Sequence, residues 1–176
     1  MRIVGFVSGI VLGCVLWFQA APAYNAALAA AAEPLLRLDR RFAAAELVAD
    51  QRAIRVAPRD TTALPPASIP ADQLTYNIIL LVALFASNPR PWRRRNLAAF
   101  GLSLMPVAIA HVLALLISIE STYAVRLGAW SDAHYGSFAT NVWLAAELFV
   151  RVVGMFGVVF ACWWVTGSGI ALRHRR

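Results

Sequence analysis

The stretch AAELFVRVVG, residues 145–154, sets an acid and a base four residues apart at the head of a long apolar run. If that run crosses a membrane over residues 152–172, Glu147 and Arg151 mark its edge. They then sit on a helix that starts near Ser137 and carries Trp143 as an interfacial anchor. In the alternative register, residues 142–165, the pair sinks about one to two turns into hydrocarbon, and each charge needs a partner there. Which register holds depends on how the remainder of the chain is threaded.

With 60% hydrophobic and 14% charged residues in 176, and a mean hydropathy of +0.65, the composition is that of an integral membrane protein rather than a soluble domain. Every one of the 16 basic residues is Arg, so the net charge of +7 does not vary over the useful pH range. The sequence pI of about 10.7 does not point to nucleic acid, because the Arg residues stand in short groups beside apolar segments and form no basic face. Anionic lipid headgroups are the expected counter-charge. Cys14 and Cys162 both fall inside apolar runs, away from any His or Cys at ligand spacing, and read as small packing residues. No metal or cofactor is implied.

Four apolar stretches approach the roughly 20 residues needed to cross about 30 Å of hydrocarbon. They are residues 3–21, 70–88, 97–117 and 152–172. The second reaches that length only if its helix starts near Pro70, which suits a first helical turn, with Asp72 favouring the N-terminal end. Arg2, then Arg90 with Arg93 to Arg95, then Arg173, Arg175 and Arg176 all fall on one side when the spans number four. The positive-inside rule makes that side cytoplasmic, with both termini there. Ala21, Pro22 and Ala23 match the small-residue pattern of a signal-peptidase site. The length of the run before them and the Trp17 and Gln19 at its end favour retention as an anchor.

Residues 23–70 are then extracytoplasmic. Arg37, Arg40, Arg41, Arg52, Arg55 and Arg59 are balanced by Glu33, Asp39, Glu46, Asp50, Asp60 and Asp72. The Ala-rich part from Asn25 to about Ala49, with Glu33 and Arg37 at helix-supporting spacing, predicts one or two helices broken near Pro34. APRDTTALPPASIP, residues 57–70, predicts an irregular linker. The fold class expected is therefore all-α: four transmembrane helices in a single membrane domain, with a helical extracytoplasmic segment and a cytoplasmic turn at residues 88–96.

That turn, NPRPWRRRN, is the clearest local signal. Its prolines stop one helix, Trp92 suits the headgroup level, and Arg93, Arg94 and Arg95 start the next helix facing lipid phosphates. Its main use is setting topology, although the same features suit docking of a cytoplasmic partner.

A second group of residues would gather ionisable chemistry at the outer rim: His111, Glu120, Glu147 and Arg151, with Tyr123, His134 and Tyr135 near them. Such residues more often satisfy one another within a bundle than do chemistry. No catalytic signature accompanies them. Gly5 and Gly9, and Gly154 with Gly157, allow close helix approach within the bundle or against another membrane protein.

Taken together, LWFQ at residues 16–19, the outer segment, and YNIILLVALFASNPRPWRRR at residues 76–95 resemble the small membrane proteins associated with bacterial exosortase systems. The resemblance implies a bacterial inner-membrane protein in an accessory role beside a sorting enzyme, with a larger membrane protein as partner and no catalysis of its own. The catalytic Cys, Arg and His of exosortases have no counterparts here, so no catalytic residue carries over. The alternative is a small membrane enzyme or transporter component using His111, Glu147 and Arg151.

Overall fold

A computed structural model describes residues 3–59 and 64–172, with side chains as far as Thr166. Arg2, Asp60 and the terminal Arg173, Arg175 and Arg176, used above for charge and topology, lie outside the described residues. The elements in order are α1 (Ile3–Leu36), β1 (Ala45–Asp50), β2 (Ala53–Pro58), β3 (Ala67–Pro70), α2 (Ala71–Thr75), α3 (Asn77–Ala86), α4 (Arg94–Val125), α5 (Ala129–His134), α6 (Ser137–Phe149) and α7 (Met155–Leu172). A 3-10 turn (Arg40–Phe42) precedes β1, and a π-helical turn (Val150–Gly154) joins α6 to α7. Ile3–Leu36, Arg94–Val125 and Ser137–Thr166 are long and apolar enough to cross a membrane.

The chain is mostly helical, as expected, but the all-α reading is corrected in the segment between α1 and α2. There, β1, β2 and β3 form an antiparallel meander in that order, with Leu47 opposite Val56 and Ile54 opposite Ile69. The sequence carries a two-residue alternation that the Ala-rich helical reading passed over. Leu47, Ile54, Val56 and Ile69 point inward and are buried, whereas Glu46, Val48 and Arg55 point out. Pro58 and Pro70 do not break the sheet because each stands at a strand end, where a missing N–H costs little.

Helix α1 is likewise longer than its apolar part. It runs through Pro22 and passes Pro34 by two residues, ending at Leu36 instead of breaking near Pro34. Leu28, Ala32 and Leu36 recur every fourth residue and, with Ala29, cover the inner face of the sheet. Glu33 and Arg37 form the expected ion pair and also clasp the open edge of β1. The Leu47 N–H donates to Glu33 Oε2 at 2.9 Å, and Arg37 Nε donates to the Ala45 carbonyl at 3.0 Å. An unpaired strand edge is thus closed by side chains of the neighbouring helix.

The sheet, the second half of α1 and the C-terminal part of α4 form a cap with one apolar core. Phe42, Ile54, Ile69, Ile119 and Tyr123 lie fully inside it. Below the cap is a helical bundle with a smaller core of Leu81, Leu84, Phe85, Val107 and Val159. Helices α1 and α3 run antiparallel in very close contact. A Cβ at Gly9 would stand 2.7 Å from Ala83 Cα, and one at Gly5 would stand 2.6 Å from the Ala86 carbonyl oxygen. Gly13 extends this row against Ile79, whereas Gly157 faces open space and makes no such contact.

The second expected span, residues 70–88, is instead the pair α2 and α3, of 5 and 10 residues, joined at Tyr76. At 1.5 Å per residue they cover about 24 Å, less than a full hydrocarbon thickness. The turn below them is held by its two flanking asparagines. Asn88 Nδ2 donates to Asn96 Oδ1 at 2.8 Å, and Asn96 Nδ2 donates to the Pro91 carbonyl at 3.0 Å. Trp92, Arg93, Arg94 and Arg95 are exposed around this clasp. Helix α4 begins at Arg94, three residues ahead of the expected start.

Candidate functional site

Helix α4 is the spine on which the nominated polar residues are arranged, yet the fold sorts them into three separate clusters. The lowest is a buried chain of hydrogen bonds. Tyr24 Oη lies 2.6 Å from His111 Nδ1, and His111 Nε2 lies 2.7 Å from Asn77 Oδ1. Asn77 Nδ2 in turn donates to the Met155 carbonyl at 2.9 Å. Four helices meet here through side chains that are wholly or nearly buried at His111 and Asn77. With Asn77 Oδ1 accepting, Nε2 must carry the imidazole proton, and Nδ1 accepts from the tyrosine hydroxyl. One neutral tautomer therefore satisfies every group in the chain.

The second cluster is built on Glu120, about two and a half helical turns nearer the cap. Its Oε2 accepts from the Tyr135 hydroxyl at 2.7 Å and from Arg41 Nη2 at 3.3 Å. Arg41 lies over the Tyr135 ring, 4.1 Å from its centroid, and is gripped by Asp39 through Nε at 3.1 Å and Nη2 at 2.5 Å. The hydrogen bond from Arg41 holds the Asp39 carboxyl below its ordinary range, and the same bond raises Arg41. Burial first, then the bond to Glu120, pushes the Tyr135 hydroxyl well up. This cluster ties the 3-10 turn to α4 and to the α5–α6 connection.

The third cluster is built on the stretch AAELFVRVVG. Glu147 is 4% exposed, accepts from Ser121 Oγ at 2.6 Å, and faces Arg151 Nη2 at 2.6 Å across one helical turn. Arg151 Nη1 reaches Gln73 Oε1 on α2 at 3.4 Å. The pair does not stand where a helix starts, because α6 begins at Ser137 as expected and runs on through the π turn into α7. Arg151 lies in that π turn, a wide turn favoured here by Val150, Val152, Val153 and Gly154, all poor helix formers. Glu147 is thus buried against Ser121 and Arg151, whereas Arg151 remains partly exposed.

His134 is not drawn into these clusters. It stacks on Trp130 at 4.1 Å and meets the Trp130 carbonyl at 2.8 Å. Tyr123 donates to the Pro65 carbonyl at 2.6 Å and so ties the sheet connection to α4. Sequence reasoning missed Tyr24, Asn77, Arg41, Ser121 and Gln73. Of these, only Asn77 left a signal, as a lone amide in the apolar run YNIILLVALF.

A cavity of about 680 Å³ lies elsewhere, on the flank of α1 facing α2 and α3. Trp17, Cys14 and Ile79 form its apolar floor, and Arg52 and Asp72 stand at its lip. Comparison with protein-family models, with curated proteins and with solved structures gave no match.

Proposed function

We propose that this chain is a multi-pass protein of the bacterial inner membrane that serves as a non-enzymatic accessory subunit of a larger membrane complex. In this reading α1, α2 with α3, α4, and α6 with α7 are four spans. The termini and the Arg93–Arg95 turn face the cytoplasm among anionic headgroups, and the cap lies outside. One observation carries the reading. His111, Glu120, Glu147 and Arg151 are each engaged by side chains of other elements, in three separate clusters that tie the elements together. Ionisable groups used this way position a surface for a partner. The cap and its marginal charges are that surface, and an exosortase-type sorting enzyme is the first partner to look for, on the resemblance of residues 76–95.

The test is purification of the tagged full chain from its native membrane in mild detergent, with mass spectrometry of what accompanies it. A membrane protein at stoichiometric yield is expected. A chain that purifies alone sinks the subunit reading. Glu147→Gln keeps an acceptor for Ser121 and should leave expression and capture intact; loss of capture with the fold preserved would move the functional centre to the Glu147 and Arg151 cluster.

A further inference from the structure

The groove beside α1 combines an apolar floor with one charge of each sign at its lip. Trp17, only 6% exposed, and Cys14 and Ile79 line the floor, and Phe18 and Tyr76 flank it with exposed rings. The lip is set by the β1–β2 turn. Gln51 takes a positive φ of 46°, suited to the first central position of a two-residue hairpin turn, and its carbonyl accepts from Asn25 Nδ2 at 2.8 Å. The turn is thereby pinned against α1 and presents Arg52 over the Phe18 ring, 5.9 Å from its centroid. The Asp72 N–H donates to the Arg52 carbonyl at 3.2 Å, which keeps the two residues side by side.

Both charges remain open to a ligand. Among the described residues no carboxylate lies within ion-pair distance of Arg52, and Asp72 is bonded only through Oδ1, to the Gln73 N–H at 2.8 Å. A purely anionic headgroup would satisfy Arg52 but would set its phosphate next to the Asp72 carboxylate. A headgroup carrying a phosphate and an ammonium satisfies both. The length of the neighbouring helices fits a lipid at this place: α2 and α3 cover about 24 Å where the hydrocarbon is about 30 Å thick, so headgroups on the cap side must come down along this face.

We propose that this groove holds a zwitterionic, ethanolamine-type phospholipid of the bilayer, with its phosphate on Arg52, its ammonium on Asp72 and an acyl chain along Trp17, Cys14 and Ile79. The inference rests on the membrane reading above but not on the accessory role. It gives the cap a lipid-built seam against the bundle, at the point where Gln73 also meets Arg151.

The experiment is native mass spectrometry of the full chain, purified in mild detergent and given equal amounts of phosphatidylethanolamine and phosphatidylglycerol. Wild type should retain the ethanolamine lipid preferentially. Asp72→Asn, which keeps the backbone-facing oxygen, should lower that retention by about tenfold, the worth of one charge-assisted contact. Arg52→Ala should weaken both lipids, whereas Arg55→Ala on the same hairpin should change neither. A second reading needs no change at the lip. In a Cys162→Ala chain, Cys14 on the groove floor should react with a maleimide more slowly in phosphatidylethanolamine-containing vesicles than in pure phosphatidylglycerol. Equal retention of the two lipids, unchanged selectivity in Asp72→Asn, or equal Cys14 rates would each overturn the proposal. Release of the chain from membranes by alkaline carbonate would instead overturn the membrane reading beneath it.

Discussion

In the cap, Phe42, Ile54 and Ile69 are enclosed between sheet and helix, and the charged side chains lie around them: Glu33 with Arg37, Asp39 with Arg41, Asp50 with Arg55. In the bundle the arrangement is inverted. The outward faces carry Val11, Leu102, Met105, Ile109 and Trp164, and the polar chain of Tyr24, His111 and Asn77 lies inside. The cap is what water demands, with apolar area withdrawn at roughly 25 cal/mol per Å² and charges left at the margin. On the membrane reading proposed above the bundle lies in hydrocarbon, which offers no such drive between helices. There, association rests on close packing and on hydrogen bonds inside the bundle, and α1 and α3 accordingly touch at Gly5, Gly9 and Gly13.

The strongest way to break this contrast is to open a cavity in the cap. Phe42→Ala removes a ring that packs edge-on against Tyr123 at 4.9 Å, and is expected to cost about 3–5 kcal/mol, read as a lowered unfolding midpoint of the full chain in detergent. An unchanged midpoint would mean that the cap contributes little to the measured transition.

Next in size is Gly9→Leu. Backbone and Ala86 stand where its side chain must go, so α1 and α3 are forced apart at about 1–3 kcal/mol or more. Gly157→Leu on the open face of α7 is the matched control and should not destabilise. Equal effects from the two glycines would remove the distinction between a packed row and an open position.

A smaller loss, about 1–3 kcal/mol, is expected for His111→Ala, which strands the Asn77 amide oxygen and the Tyr24 hydroxyl in the interior. If the bundle tolerates it without loss, water or local repacking replaces the chain, and the bundle depends on glycine contact alone.

The smallest effect is the pH dependence at the cap margin. Asp39 has a folded pKa below its ordinary value of 3.8 because Arg41 hydrogen-bonds its carboxylate. Its contribution is therefore complete above about pH 4, and is lost as pH falls through the depressed folded value. Asp39→Asn should flatten the acid limb of the stability profile while leaving neutral stability nearly unchanged, since the pair is partly solvated. An acid limb identical in both proteins would assign the loss to other carboxylates.

How much of this could be read beforehand varied with the range of the interactions. The long helices were legible because an apolar run of about 20 residues has few other stable forms. The Glu33 and Arg37 pairing and the helix start at Ser137 were legible because both are local. The hairpin was hidden by its turn, Gln51 and Arg52, which lacks the usual Asn-Gly or Asp-Gly signal. An Ala-rich approach also suggested helix up to Ala49. Of the candidate site, the sequence named His111, Glu120, Glu147 and Arg151 but not what they meet. Asn77 lies 34 residues from His111 and Arg41 lies 79 from Glu120, and one sequence carries no sign of such pairings.

The sequence by itself determined that the chain is largely helical, with apolar helices long enough for a membrane, an exposed Trp92 and Arg93–Arg95 turn, and an acid and a base one helical turn apart at Glu147 and Arg151. These properties depend on composition and on residues within a few positions of each other. Only the tertiary structure decided that α1 continues past the apolar run to cover a sheet, that the polar residues of α4 divide into three clusters instead of one, and that Arg52 and Asp72 share the lip of a groove. Each of those depends on which distant surfaces meet, and that follows from the shapes and hydrogen-bonding needs of whole elements rather than from any local pattern.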